Sequence, residues 1–240
     1  MGGSTPEPVG AQDRDQDKDK SKSKSGGVAK PRSRPLDAIF SPSQEQDQLP
    51  RPAIRPYPTE YVRPGRMKNG EEILFRPIRP EDEPAMIKFH EALSDRTVYF
   101  RYFQSLKLSQ RTAHERLARI CFIDYDHEMA LVAEHKDANG DPAIIAIGRL
   151  SQLRDRHEGE MAVLVEDRFQ HQGLGTELYR RLIEVARAEN LSRVESIILA
   201  DNRDMQAICR KLGFRLKADL KDGTVQAVLK LQISVSQLTL

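Results

Sequence analysis

The chain has only two cysteines, Cys121 and Cys209, among its 240 residues. That is too few for a disulfide framework or a thiolate zinc knuckle, and it fits a reducing compartment. No apolar run approaches the length of a membrane span, and the N-terminus lacks the apolar core of a signal peptide. The opening "MGGSTP" begins like a myristoylation signal but has Pro6 where Ser or Thr is required. The sequence therefore predicts a soluble, cytoplasmic protein with no membrane partner. The six histidines show no ligand spacing, such as two on one helical face, so no metal is expected.

What is present is unevenly spread. Ten of the fourteen prolines precede Gly70, and residues 1–70 carry 13 Lys+Arg against 9 Asp+Glu, leaving 25 against 27 for the rest. Residues 1–50 are Gly, Ser, Pro, Asp, Lys and Gln around "DRDQDKDKSKSKS". Such a stretch cannot bury enough apolar surface to offset chain entropy, and it reads as a disordered polar tail or linker. Asp13, Asp15, Asp17 and Asp19 dilute its basic charge and no aromatic interleaves the lysines, so nucleic acid is not an expected partner. One island, "RPLDAIFSP" from Arg34 to Pro42, is apolar enough to be a short docking segment.

Residues 51–240 read as one folded domain. "EEILFRPI" alternates as a strand ending at Ile78, and "PEDEPAMIKFHEAL" follows as a helix with Met86, Phe89 and Leu93 at helical spacing. "LSQRTAHERLARI" reads as a second helix, with Arg111, Arg116 and Arg119 outward and Leu117 and Ile120 inward. "HEMALVAEH" and "PAIIAIGRLSQL" are joined by "KDANGD", whose Asn139-Gly140 pair is a strong hairpin signal. "EGEMAVLVED" is a fourth strand, with Glu160, Ala162 and Leu164 on one face and Met161, Val163 and Val165 on the other.

As that strand ends, "FQHQGLG" leads into "TELYRRLIEVARAEN", a helix with Leu178, Leu182, Val185 and Ala186 inward and Arg180, Arg181 and Arg187 in water. Gly173 and Gly175 thus sit at a strand-to-helix junction. Uncovered amides at a helix N-terminus favour an anionic group, a phosphate above all. A nucleotide P-loop would need Lys and Ser or Thr after the last glycine, but Thr176 and Glu177 stand there. A dinucleotide fingerprint would need a third glycine where Leu178 stands. A tight turn without a ligand remains open at this point.

The loop resembles that of the GNAT acetyltransferase superfamily, whose acyl-CoA pyrophosphate motif reads Q or R, x, x, G, x, G or A. Gln170, Gly173 and Gly175 match it in register. "RVESIILA" follows as a fifth strand, and "DNRDMQAICRKLGF" resembles the second cofactor segment of the family, with Asn202 at its start. "AIRPYPTEYV", "LFRPIRPEDEPAM" and "TVYFRYF" are similar to the acetyltransferase domain of bacterial protein lysine acetyltransferases of the Pat type, over roughly Arg51 to Leu231. In many members this domain follows an acyl-CoA synthetase-like region; the residues ahead of it here, 1–50, are expected to be polar tail instead.

The resemblance implies an α/β GNAT fold: a mixed, mostly antiparallel sheet of about seven strands flanked by helices. It implies acetyl-CoA as acyl donor, and as acceptor the lysine amine of a protein partner, of which acyl-CoA synthetases are one class. An ammonium must lose a proton before it attacks a thioester, so a base is needed, and Glu160 in "GEMA" matches the family's catalytic position; Glu158 and Glu166 compete on proximity alone. The pantetheine arm is expected along Val163, Leu164 and Val165, between splayed fourth and fifth strands. The phosphates are expected on the loop Gln170, His171, Gln172, Gly173, Leu174, Gly175 and Thr176, with Asn202 nearby and Arg168 and Arg210 as supporting charges. Cys209 stands where many small-molecule members carry a tyrosine acid, and reads as a packed helix residue rather than a nucleophile. "RTVYFRYF" reads as a packed segment between the first two helices, part of it available to line the acceptor mouth. Two other classes stay open: a small-molecule amine N-acetyltransferase and a non-catalytic acyl-CoA-sensing module.

Overall fold

A computed structural model describes residues 55–137, 139–153 and 157–232. All belong to one unit, Arg51–Leu240. The expected tail over 1–50, with its island at Arg34–Pro42, lies outside the described residues.

Eight strands form one sheet in the order β1-β2-β3-β4-β5-β6-β8-β7. They are β1 (Arg63–Arg66), β2 (Glu72–Pro77), β3 (Glu128–Lys136), β4 (Pro142–Gln152), β5 (Glu158–Val165), β6 (Arg193–Leu199), β7 (Arg215–Asp219) and β8 (Thr224–Lys230). Neighbours run antiparallel except β5 and β6, which are parallel. The sheet is thus mixed and mostly antiparallel, as expected, with one strand more than seven. Among the least legible strands is β1, "RPGR", in which proline and glycine give no strand signal; it sits at the sheet edge, where a proline costs no ladder bond.

Among the described residues six α-helices accompany the sheet: α1 (Glu83–Glu91), α2 (Asp95–Tyr102), α3 (Leu108–Arg111), α4 (His114–Cys121), α5 (Leu174–Ala188) and α6 (Arg203–Lys211). The sheet lies between two apolar layers. On one side, Leu178, Leu182 and Val185 of α5 and Cys209 of α6 pack on Met129, Leu131, Ala133 and Met161. On the other, Met86 and Phe89 of α1, Val98 of α2 and Leu117 of α4 pack on Ala130, Val132, Ile144 and Leu164. Both faces of β3 are therefore buried, which is why "MALVA" reads as an unbroken apolar run. The Asn139-Gly140 turn joins β3 to β4 as expected, with Gly140 at φ +84°.

Three local expectations are corrected. The single helix expected over "LSQRTAHERLARI" is two, α3 and α4, broken at Thr112 and Ala113. Arg111 does not face water: it is buried, donating to the carbonyl of Leu93 and to Asp95 at 3.2 Å. Arg181 likewise leaves solvent, lying 4.2 Å over the Phe75 ring and pairing with Glu177.

Candidate functional site

The crossover from β5 through α5 to β6 creates the site. Two parallel strands need such a crossover, and here the strands pair only from Glu158↔Arg193 to Glu160↔Glu195 before they part. Beyond Glu160 a cleft of about 670 Å³ opens, walled by β5, α2, α6 and the N-terminus of α5.

Two hydroxyls sit where the ladder ends. Tyr179 of α5, fully buried, lies 3.1 Å from the Met161 carbonyl oxygen, and Ser196 of β6 donates to the same oxygen at 2.8 Å. They replace the β6 amide that the oxygen loses as the strands diverge. Burial pushes the Tyr179 phenol well above its usual range, so it stays a hydrogen-bonding hydroxyl. Successive residues of a strand turn their backbone groups to opposite sides, so Met161, Val163 and Val165 share the cleft side and Leu164 turns toward β4. The Val165 carbonyl accepts from the Gln170 side chain at 3.2 Å. Of the expected pantetheine stretch, the open backbone on the cleft side is that of Val163. Leu164 sends its side chain into the core on the α1 face.

The loop is built for amides. Gly173 caps α5 at φ +92°, a left-handed conformation that costs a side-chain-bearing residue about 1–2 kcal/mol. His171 also adopts positive φ, at 61°. Lys68 takes the loop's carbonyls: its Nζ donates to His171 O at 2.9 Å and its amide to Gln172 O at 3.1 Å. The amides from Gln172 to Thr176 find no acceptor among the described residues, as the first turn of a helix dictates. Gly175 is buried in that turn; a Cβ there would stand 3.1 Å from Ile208 Cδ1 of α6. Gln170 braces the loop from within, its Nε2 donating to Thr97 Oγ1 at 3.0 Å. Leu174 lends only its amide, since its side chain is in the core, whereas Thr176 lines the cleft.

Asn202 caps α6, its Oδ1 accepting from the Met205 amide at 3.1 Å, and also lines the cleft. Asp167 ties the far wall to the loop, accepting from the Ser94 amide and hydroxyl and the Thr97 hydroxyl at 2.7–2.9 Å. Burial alone would raise its carboxyl, but these donors outweigh that and hold it below the usual range.

The three carboxylates separate cleanly. Glu158 pairs with Arg193 at 2.6 Å, and Glu166 is buried against the Arg168 guanidinium. Glu160 is exposed, lines the cleft and has no partner among the described residues. Cys209 is completely buried, with burial pushing its thiol up to about 12, and it does not line the cleft.

Sequence reasoning missed Lys68, whose turn "RMKNGEE" carries no signal of a partner a hundred residues away. It also placed the supporting charges elsewhere: Arg168 is taken by Glu166 and Arg210 donates to Gln206, while Lys68 and Arg96 line the cleft. "RTVYFRYF" is the helix α2 rather than a packed connector. Only Val98 of it is buried, and Phe100, Tyr102 and Phe103 face the cleft. His171 is exposed, its Nε2 at 4.0 Å from Asp204.

The profile of the acetyltransferase (GNAT) domain family matches residues 72–215, and the chain belongs to that family. It is 33% identical over 159 residues to the acetyltransferase PA5475 of Pseudomonas aeruginosa, covering 66% of this chain and 83% of that protein. It is 31% identical over 154 residues to the acetyltransferase Pat of Mycolicibacterium smegmatis, covering 62% of this chain but only 43% of Pat. The GNAT domain of S. lividans PAT superposes with a TM-score of 0.65 at 24% identity, over 73% of this chain and the whole of that one. No helix among the described residues is long and apolar enough to cross a membrane.

Proposed function

We propose that the domain from residue 51 onward transfers acetyl from acetyl-CoA to lysine side chains of proteins, in the cytoplasm, and that acyl-CoA synthetases are among its targets. The observation that carries this reading is Glu160, an exposed carboxylate without a partner among the described residues, on the wall of a cleft whose other end is a row of amides likewise unpaired among them. The pyrophosphate rests on the amides of Gln172 to Thr176, with Lys68 as the nearby cation. The pantetheine arm runs along β5 where the strand has lost its partner, bonding the backbone of Val163.

Glu160, directly or through one water, takes a proton from the lysine ammonium. The amine nitrogen then forms its bond to the thioester carbon, and the carbonyl oxygen gathers charge that backbone amides of β5 can stabilise. The C–S bond breaks, acetyl stays on nitrogen and CoA leaves as thiolate. Cys209 is too deep to protonate it, so solvent does. A protein acceptor is favoured by the similarity to Pat and by the rim residue Phe103, which is 41% exposed rather than folded over an enclosed acceptor pocket.

The test is incubation of wild type and Glu160→Gln with acetyl-CoA and an acetyl-CoA synthetase, followed by mass spectrometry of lysines and calorimetric titration of CoA. The expected result is acetylation by wild type, a loss of about 10²–10⁴-fold in Glu160→Gln, and equal CoA affinity. Equal rates in the two proteins would remove Glu160 as base. CoA binding with no modified lysine would move the acceptor to small amines, and no CoA binding would sink the reading of the loop.

A further inference from the structure

Beside the cleft lies a second cavity, of about 410 Å³, between the end of α2, α4 and β4. Four arginines line it, Arg101, Arg116, Arg119 and Arg149, against one carboxylate, Glu115. Arg149 pairs with Glu128, but Arg101, Arg116 and Arg119 pair with no carboxylate among the described residues. Arg101 and Arg116 instead hold the Tyr102 ring, at 5.1 and 4.5 Å from its centroid, which fixes both guanidinium groups. The Nε atoms of Arg116 and Arg149 are buried with no acceptor among the described residues, which leaves the outer guanidinium nitrogens to meet a ligand. Like charges gathered around a hollow are unfavourable until an anion fills it.

The cavity is joined to the candidate acceptor site. Arg101 and Tyr102 line both. Ser151 is the register partner of Glu160, and Arg149 stands two residues from Ser151 on the same face of β4. Such diagonal neighbours are about 7–8 Å apart, close to two residues of extended chain. A molecule whose amine reaches Glu160 therefore passes Arg149, and with it the cavity that Arg149 shares with Arg101, Arg116 and Arg119, about two or three residues away. With Glu115 and Glu128 counted against the four arginines, two positive charges remain uncompensated, and planar guanidinium forks suit a carboxylate.

Resting on the protein-acceptor reading above, we infer that this arginine cavity selects acceptor lysines that have an Asp or Glu side chain two or three residues away in the acceptor chain. The test uses the full chain and lysine peptides carrying Glu or Gln at each position two and three residues to either side, with a phosphoserine series. Released CoA gives kcat/KM.

The expected result is a preference of about tenfold for Glu over Gln on one side of the lysine, weakening as salt rises. It should fall to near unity in Arg119→Gln, an exposed site safe for folding, and in Arg116→Gln, and return in part in Arg116→Lys. CoA affinity should not move in any of them. Lysine acetylation with Glu and Gln peptides equal would overturn this inference and leave the protein-acceptor reading standing. Phosphoserine preferred while Glu is no better than Gln would overturn the carboxylate assignment. Failure to acetylate any peptide or protein lysine would overturn both.

Discussion

The Tyr179 hydroxyl and the Met161 carbonyl oxygen, 3.1 Å apart, mark the point at which β5 lets go of β6. Ser196 lies 2.8 Å from the same oxygen and 2.9 Å from Tyr179. Two hydroxyl protons cannot serve three contacts, so one contact is always unfilled and either residue alone can satisfy the carbonyl.

Single removal should therefore be mild and joint removal severe. Tyr179→Phe and Ser196→Ala should each cost about 1 kcal/mol or less, and the double variant more than their sum, with a coupling on the order of 1 kcal/mol. Urea denaturation of the four proteins measures this. Strict additivity would show that the carbonyl is satisfied some other way.

Gly173 and Gly175 fail differently when substituted. At Gly173 the nearest atoms to a new Cβ are on Lys68, 3.8 Å away, so space is free and the backbone alone resists. Gly173→Ala should cost about 1–2 kcal/mol, and Gly173→Asn less, because Asn tolerates the left-handed region. At Gly175 the backbone is helical and the obstacle is Ile208 Cδ1 at 3.1 Å. Gly175→Val should push α5 from α6 and weaken CoA binding, and Ile208→Val should restore part of it. Paired denaturation and CoA titrations separate the two cases.

How much of this was legible follows from the range of each interaction. The strand alternation of "EGEMAVLVED", the Asn139-Gly140 hairpin and the apolar stripe of α5 are local patterns, and all three stand in the structure. The break between α3 and α4 was hidden because Thr112 and Ala113 are compatible with a helix. Arg111 could not be placed inward by composition, since its burial depends on a carbonyl and a carboxylate 16–18 residues away. The loop glycines were visible, whereas Lys68, which turns the loop's carbonyls aside, was not. Among three nearby glutamates, proximity could not separate Glu160 and only the family resemblance pointed to it; tertiary partners do separate them, for Arg193 and Arg168 claim the other two.

Cys209 offers a test of leaving-group chemistry. Its thiol is driven up to about 12 by burial and lies outside the cleft, so it is neither nucleophile nor acid. Native protein at pH 8 should resist iodoacetamide at Cys209 and react once unfolded. Cys209→Ala should retain acetyl transfer within about twofold and lose stability on the order of 1–2 kcal/mol. A loss of transfer without a loss of fold would restore the covalent route.

His90 makes the fold sensitive to acid. It is 1% exposed on α1, with neither ring nitrogen hydrogen-bonded, its ring edge-on to Phe89, and Arg116 of α4 and Arg111 of α3 acting on it. Burial first, then those two guanidinium groups, pushes its imidazole down to about 4 from an ordinary 6.5. Between those two values the unfolded chain binds a proton that the folded chain refuses, so stability falls as pH drops through this window and is complete above it. The loss at full titration is on the order of 3 kcal/mol. Urea midpoints for wild type should therefore fall between pH 7 and pH 5, and His90→Leu should flatten that slope while keeping much of the packing. A variant whose slope matches wild type would place the acid sensitivity on other groups.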